Sequence, residues 1–447
     1  MRVAVVGSGP SGVYAADALV SQDEIPVEVD IIDRLPVPFG LVRYGVAPDH
    51  LSIRSVRDTL NKVLAKPGVR FLGNVVVGQD VSTAELLAHY DAVVLTYGAS
   101  RDRRLGIPGE DLDGSVAATD FVAWYCGHPD ADRELFERLL PTATSAVVVG
   151  VGNVAVDVTR VLAKTVGELD HTDMPQHVLD TLAASSITDV HLLGRRGPAQ
   201  ATFTTKELKE LGELIDADVI VHPDEIELDE PSAALAAEDR AVGRNVDVIR
   251  GWADRPNTGR GRRIHVRFLS RPVELLGDDR VRSVVVERTR LTPDGGVEGT
   301  GQMEEIAADL VVRSVGYRGT PLEGLPFDER RNVIPHVDGR VVDGDSPVRG
   351  MYVAGWIKRG PTGIIGTNKK DAVGTVESLL ADARAGVLPA PASPEPIEDL
   401  LASRGVDVVT TSGWDAIDAA EQALGQQSGR ERTTIHERDR MLEIAQG

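Results

Sequence analysis

The sequence predicts an α/β protein of two three-layer units, each with a parallel sheet, the first unit interrupted in the chain by the second. Three observations predict it. A short apolar run leads into G-x-G-x-x-G at residues 3–12. The same strand–glycine–helix pattern recurs at 145–155 as G-x-G-x-x-A. A third strand and glycine turn, near 350–366, leads into a helix after the second unit has closed, so the first unit is completed from a distance.

Residues 3–6 are continuously apolar and read as a buried parallel strand. Gly7 permits the tight turn out of it. Gly9 lets backbone approach a pyrophosphate, and Gly12 lets the helix pack on the strand. The helix N-terminus offers free N–H groups and the positive end of its dipole to phosphate. The next strand, 27–32, ends in Asp33, about twenty residues past the last glycine, where a carboxylate can accept ribose hydroxyls. The two units are therefore expected to be Rossmann-like dinucleotide-binding domains.

The chain has 447 residues, more than one core normally serves, and 42% hydrophobic residues, enough for globular packing. A net charge of −21 argues against nucleic acid and anionic membrane surfaces as partners. The single cysteine, Cys126, excludes an intrachain disulfide, a thiolate Fe–S cluster and a Cys-x-x-Cys pair. It reads as a small buried hydrophobe, and no metal site is expected. The first strand starts almost at Met1, and no apolar run reaches the eighteen or so residues of a membrane span. A cytoplasmic location without membrane insertion is expected.

After Asp33 the prolines and glycines of 34–50 exclude a long helix and give a shaped loop, of the kind that serves a ligand. A helix is expected over 52–66, strands over 69–77 and a buried strand over 91–96. The run 101–104 begins a polar crossover into the second unit.

That unit opens on a strand at 145–149 and the loop Gly150-Val151-Gly152-Asn153-Val154-Ala155. Its ribose-reading strand, 189–193, ends in Arg195 and Arg196 instead of an acid. Two guanidiniums suit a 2′-phosphate, so this site reads as NADP rather than NAD. Forty residues separate Ala155 from Arg195, twice the usual interval, and 166–185 reads as an insertion. Glu207 and Glu210 lie one turn apart on a helix starting near Thr204. Residues 240–271 hold nine Arg and two Asp with no Lys or Glu, locally +7 in an acidic chain, which invites an acidic partner. Strands at 266–269, 284–288 and 310–312 close the unit.

The return segment has a strand at 350–355, the glycine loop 356–366 and a helix over 371–385. Pro389, Pro391, Pro394 and Pro396 stiffen a linker, and the remainder reads as a helical tail with Trp414 as its packing anchor. The expected boundaries are 1–103 and 322–388 for the first domain, 104–321 for the second, and 389–447 for linker and tail.

These motifs carry a resemblance over nearly the whole length. Gly-Leu-Val-Arg-Tyr-Gly-Val-Ala-Pro-Asp-His at 40–50, Gly-Arg-Arg-Gly-Pro at 194–198 and Trp-Ile-Lys-Arg-Gly-Pro-Thr-Gly at 356–363 resemble the adrenodoxin-reductase-like ferredoxin–NADP reductases of actinobacteria. Most flavoproteins with two dinucleotides carry Asp where Trp356 stands, as it does in this family. The resemblance implies non-covalent FAD in the first domain, with contacts from Ser11, Asp33, Leu41, Val77, Trp356, Gly363, Ile364 and Ile365. It implies NADP(H) in the second, with contacts from Val151, Gly152, Asn153, Val154, Arg195, Arg196 and Glu207, and from Gly363. His50 and Glu210 match positions near the flavin and the nicotinamide. Asp33 stands where many relatives have Glu, and a chain without a mitochondrial leader, of the bacterial rather than the animal branch, is expected. The implied activity is electron transfer from NADPH, a two-electron hydride donor, through the flavin to a one-electron ferredoxin. That acidic partner is expected on the 240–271 stretch and near Lys358 and Arg359. Reduction of another acceptor such as a quinone, a monooxygenase and a nucleotide-binding redox sensor are the alternatives at this point.

Overall fold

The computed structural model describes residues 1–363 and 365–447. The chain divides into two compact units, Met1–Arg101 with Gly316–Gly447, and Asp102–Val315. The tail falls within the first unit.

The first unit is built on an eight-stranded sheet. Its order is His336–Val337, Arg340–Asp343, Ser346–Val353, Ala92–Leu95, Arg2–Val6, Glu28–Ile32, Val69–Gly73 and Val409–Thr410. Arg2–Val6 is central and pairs in parallel with both neighbours, Val3 opposite Val29 and Ala92. Val3, Ala4 and Val5 are fully buried because both sheet faces are covered. Helices Pro10–Val20 and Ile365–Arg384 pack together. Val409–Thr410 from the tail pairs antiparallel with Val69–Gly73 and closes one edge.

Three expectations shift here. The helix placed at 52–66 is two helices, Leu51–Arg54 and Val56–Leu64, broken at Ser55, whose hydroxyl donates to Ser52 O at 2.9 Å. Of the strands placed over 69–77, Val69–Gly73 forms, and beyond it Val77 makes an isolated bridge to Val81. The helix placed at 371–385 already begins at Ile365; its first turns carry Thr367, Asn368, Lys369 and Lys370, which hide the apolar period.

The second unit has a six-stranded parallel sheet in the order Ser115–Ala117, Leu310–Arg313, Ser145–Val149, Asp189–Leu193, Arg262–Arg267 and Ala217–Val221. Beside it stands a three-stranded antiparallel sheet, Ser270–Leu276, Ser283–Leu291 and Val297–Ala307. The strand expected at 266–269 ends at Arg267, and Leu269 takes φ +52° as the chain turns into the second sheet. The insertion carries a helix, Gln176–Ala183. Cys126 is buried, as a small hydrophobe should be. Among the described residues no helix is long and apolar enough to cross a membrane.

Candidate functional site

Each unit carries one cradle. In the first, Gly7 has φ +109°, and a Cβ there would stand 2.8 Å from the Thr96 backbone. Thr96 braces the turn by donating its hydroxyl to Gly7 O at 2.8 Å and Val6 O at 3.0 Å. A Cβ on Gly12 would stand 1.9 Å from Gly7 O, so helix and loop touch backbone to backbone. Gly9 differs: a Cβ there meets nothing within 4 Å. Gly9 also caps Pro10–Val20 without any side-chain acceptor, which leaves first-turn N–H groups for a phosphate.

Asp33 does more than await a ribose. Its Oδ2 accepts from Ser8 N at 2.8 Å and Ser8 Oγ at 2.5 Å, and its Oδ1 from Leu35 N at 2.9 Å. A carboxylate has about four lone-pair sites. One is left for a hydroxyl, while the others shape the loop.

Ser11 lies against the return segment. Its hydroxyl donates to Asn368 Oδ1 at 3.1 Å, and a Cβ on Gly355 would stand 2.3 Å from Ser11 Oγ. Gly355 takes φ +78° and donates its N–H to Asp371. Asp371 also accepts from Lys358 Nζ at 2.8 Å, and Arg359 donates to Thr362 O and Asn368 Oδ1. Lys358 and Arg359 thus staple the third glycine turn to its helix. Trp356 Nε1 is buried without an acceptor among the described residues, so the pocket wall fits a group that supplies one. Leu41 is 39% exposed, Val77 is half-buried, and Gly363 takes φ +85° before Ile365 opens the helix. Ile364 lies outside the described residues. His50 is buried at the N-cap of Leu51–Arg54, its carbonyl accepting from Ile53 N and Arg54 N, both at 3.0 Å.

In the second cradle Gly150 has φ +134°, and a Cβ would stand 2.1 Å from Ser314 O. Val151 O accepts from Thr202 N at 3.0 Å, and Asn153 Oδ1 accepts from Thr204 N at 2.8 Å. These bonds pin the loop to the segment leading into the helix Thr205–Leu211. Gly152 caps Asn153–Ala163 with no side-chain acceptor, again leaving N–H groups open near half-buried Val154. The backbones of Arg195 and Arg196 are held: Arg195 O accepts from Thr289 Oγ1 at 2.7 Å and Arg196 O from Leu269 N at 3.1 Å. Neither guanidinium has a partner among the described residues. Fixed backbones with two unengaged guanidiniums suit a dianionic phosphate.

Glu207 is buried and Glu210 half-buried on Thr205–Leu211, where Thr204 Oγ1 caps Glu207 N at 3.4 Å. Sequence reasoning missed Arg160. Its side chain is 1% exposed and pairs with Asp157 Oδ1 at 2.9 Å and Glu210 Oε2 at 3.3 Å. The signal was an Asp–Arg pair at i, i+3 on an otherwise apolar helix. Asp371 was missed too, although it is an acid on the helix that follows the third glycine turn.

Six of the nine arginines in 240–271 are engaged internally. Arg255 donates to Gly212 O, Arg260 to Leu214 O and Ala217 O, and Arg262 to Lys164 O. Arg263 pairs with Asp189, Arg267 with Glu225 and Glu304, and Arg271 with Glu287. Much of the stretch therefore wires the sheets internally, and Arg255 and Arg260 stay exposed while so engaged. Arg240, Arg244 and Arg250 on Arg240–Ala253 stay exposed and unengaged among the described residues.

Comparison with known proteins agrees with the two cradles. The family described as pyridine nucleotide-disulphide oxidoreductase matches residues 1–212. NADPH-ferredoxin reductase FprA of Mycobacterium tuberculosis is 45% identical over 100% of this chain and 99% of its own. The mitochondrial NADPH:adrenodoxin oxidoreductase of Arabidopsis thaliana is 39% identical over 97% and 93%. A solved structure of the M. tuberculosis FprA in complex with NADPH superposes with a TM-score of 0.92 at 44% identity, covering 100% of this chain and 99% of that one. With full-length identity at this level and both cradles in place, the chain belongs to the family of NADPH-ferredoxin and adrenodoxin reductases.

Proposed function

We propose that this protein is an NADPH–ferredoxin reductase that holds FAD in its first unit and NADP(H) in its second. The observation that carries the reading is the contrast between the cradles. One ends in an acid, Asp33, with a lone-pair site left for ribose. The other ends in Arg195 and Arg196, whose guanidiniums are unengaged among the described residues and suited to a 2′-phosphate.

When bound, a flavin accepts a hydride and passes on single electrons, which a chain with one buried cysteine cannot do alone. The chain's own part is to bind and orient. Gly7, Gly9 and Gly12 with Ser11 form the pyrophosphate bed. Trp356, Gly363 and Ile365 line the return turn, and Leu41 and Val77 supply apolar contact. Val151, Gly152, Asn153 and Val154 bed the second pyrophosphate. His50 is placed to set the pose of the flavin ring in the first unit and Glu210 that of the nicotinamide in the second; hydride transfer takes no proton from the donor carbon, so neither is required as a base. Arg240, Arg244 and Arg250 are the cations of the 240–271 stretch left to steer an acidic ferredoxin.

The test is one cuvette. The purified protein should be yellow, bleach with NADPH and regain colour on adding ferredoxin and cytochrome c. Acid denaturation should release free FAD. A colourless protein, flavin that precipitates with the chain, or bleaching without onward transfer would each overturn a stated part of this reading.

A further inference from the structure

The tail contains a buried charge that the proposed function does not use. Glu421, on the helix Thr411–Gln426, is fully buried. Both of its oxygens meet Arg43, which is 2% exposed: Nη1 donates to Oε2 at 3.0 Å and Nη2 to Oε1. The pair spans 378 positions of sequence. Glu421 Oε1 also accepts from Ile435 N at 2.8 Å, and Arg432 stands 3.5 Å from Oε2.

Arg43 belongs to the segment that carries two proposed site residues. It lies in the short helix Leu41–Tyr44, two positions after Leu41. Its carbonyl accepts from Arg54 Nη1 at 3.2 Å, and the same Nη1 donates to Val46 O at 2.8 Å. Arg54 ends the helix that His50 caps. The segment enters through Phe39 at φ +85° and Gly40 at φ +49°. A bulky residue in the left-handed region persists only where its surroundings hold it. Here Trp414 does so, edge-on to Phe39 at 5.6 Å with an interplanar angle of 88°. Trp414 and Glu421 are seven residues apart, two helical turns, so one face of the tail helix holds both ends of the strained entry.

We infer that Glu421 is a positioning residue: through Arg43 and Arg54 the C-terminal tail sets the placement of Leu41 and His50, although none of the flavin contacts proposed above lies in the tail. The inference rests on the proposed flavin site. The juxtaposition goes beyond what fold maintenance asks. An isolated buried ion pair is commonly no better for stability than an apolar pair of similar volume. This one is bidentate and is wired onward by further hydrogen bonds to the loop.

The experiment compares Glu421→Gln with the double replacement Arg43→Met/Glu421→Leu. Breaking one partner should lower stability, and the apolar pair should restore it. Positioning should not return with stability. In both variants FAD should dissociate with a Kd raised roughly tenfold or more, the flavin absorption bands should shift, and kcat should fall. KM for NADPH should stay within about twofold, because its cradle is in the other unit. In protein stripped of flavin, amide exchange over 39–54 should rise while exchange over 145–155 stays level. If the double variant recovers stability, flavin affinity and kcat together, the pair is merely structural and the inference falls. Unchanged exchange over 39–54 overturns it as well, even if Glu421→Gln fails to fold. A wild-type protein that binds no FAD would instead remove the functional reading, while the exchange result would still decide whether Glu421 orders the loop.

Discussion

Arg160 Nη1 meets Glu210 Oε2 at 3.3 Å from the buried face of the helix that follows the second glycine loop. The same guanidinium holds Asp157 at 2.9 Å. Glu210 is thus a carboxylate held by a buried cation. Arg160→Leu would leave Asp157 and Glu210 facing each other's charge without it. The expected cost is about 3–5 kcal/mol, the range for a broken buried pair. Glu210→Gln, at a half-buried position, should cost less, about 1–2 kcal/mol. Denaturant unfolding followed in parallel for both variants checks the order; equal costs would show that Arg160 is not the hub.

The two arginines after the second cradle make no intramolecular side-chain bond among the described residues. Their loss should therefore spare the fold and fall on one cofactor. Arg195→Leu/Arg196→Leu should raise KM for NADPH by roughly ten- to a hundredfold, the value of a charge-assisted contact, and leave NADH nearly untouched. The melting temperature should not move. Parallel losses with both nucleotides would mean the arginines shape the loop.

Gly9 and Gly12 stand three residues apart and should fail differently. A methyl at Gly12 collides with Gly7 O at 1.9 Å, backbone against backbone. Gly12→Ala should destabilise by about 2 kcal/mol or more. A methyl at Gly9 enters open space. Gly9→Ala should fold with an unchanged melting temperature yet retain less flavin, since the methyl occupies the phosphate's approach. A Gly9→Ala protein that keeps its full complement of FAD would show that no phosphate sits over that residue.

Acid should weaken the second unit through a histidine pair. His191 and His265 stack at 4.3 Å with an interplanar angle of 9° on neighbouring strands. Burial first, and then the charge on His265, hold His191 down at about 4. His265 is lowered as well, chiefly by burial, although its Nε2 lies 2.9 Å from Asp189 Oδ1. Arg263, Arg267, His222 and Glu304 are the other charged groups acting on the pair. The unfolded chain takes up a proton near pH 6.5, whereas the folded His191 does so only near 4. Stability is therefore full above about 6.5 and is lost as pH falls toward 4, by up to about 1.4 kcal/mol per pH unit for each histidine. His191→Phe keeps a ring against His265 and should flatten that slope. An identical acid limb in the variant would place the sensitivity elsewhere.

Charge reversal should separate steering cations from internal ones. Arg240→Glu/Arg244→Glu/Arg250→Glu should slow ferredoxin-dependent cytochrome reduction at low salt and leave ferricyanide reduction alone, because steering acts on association. Arg260→Glu/Arg262→Glu/Arg263→Glu removes bonds to Leu214, Ala217, Lys164 and Asp189, and should cost stability before it touches docking. If the second set slows ferredoxin at full stability, those side chains do reach the partner.

What the sequence determined by itself is local in its physics. Gly12 is demanded by Gly7 O five residues back, and Gly7 and Gly150 each by a positive φ of their own, so spacing alone announces both cradles, although the backbone that crowds Gly7 and Gly150 comes from Thr96 and Ser314. Thr204 caps its helix through a neighbour three positions away, and Glu207 and Glu210 share one turn; these too are short-range facts. The repeat of the motif, and the return of a strand and glycine turn after the second unit, also lie openly in the order of the chain. What the tertiary structure alone decided is where charges find partners. Nine arginines in 240–271 look alike in sequence, but six are hydrogen-bonded to acids or carbonyls that the fold brings beside them. Asp33 serves the loop because Ser8 stands across from it, and Arg43 finds Glu421 from the far end of the chain. A charge is read from its residue type, but its energy depends on distance and burial, and those exist only after the sheets have formed.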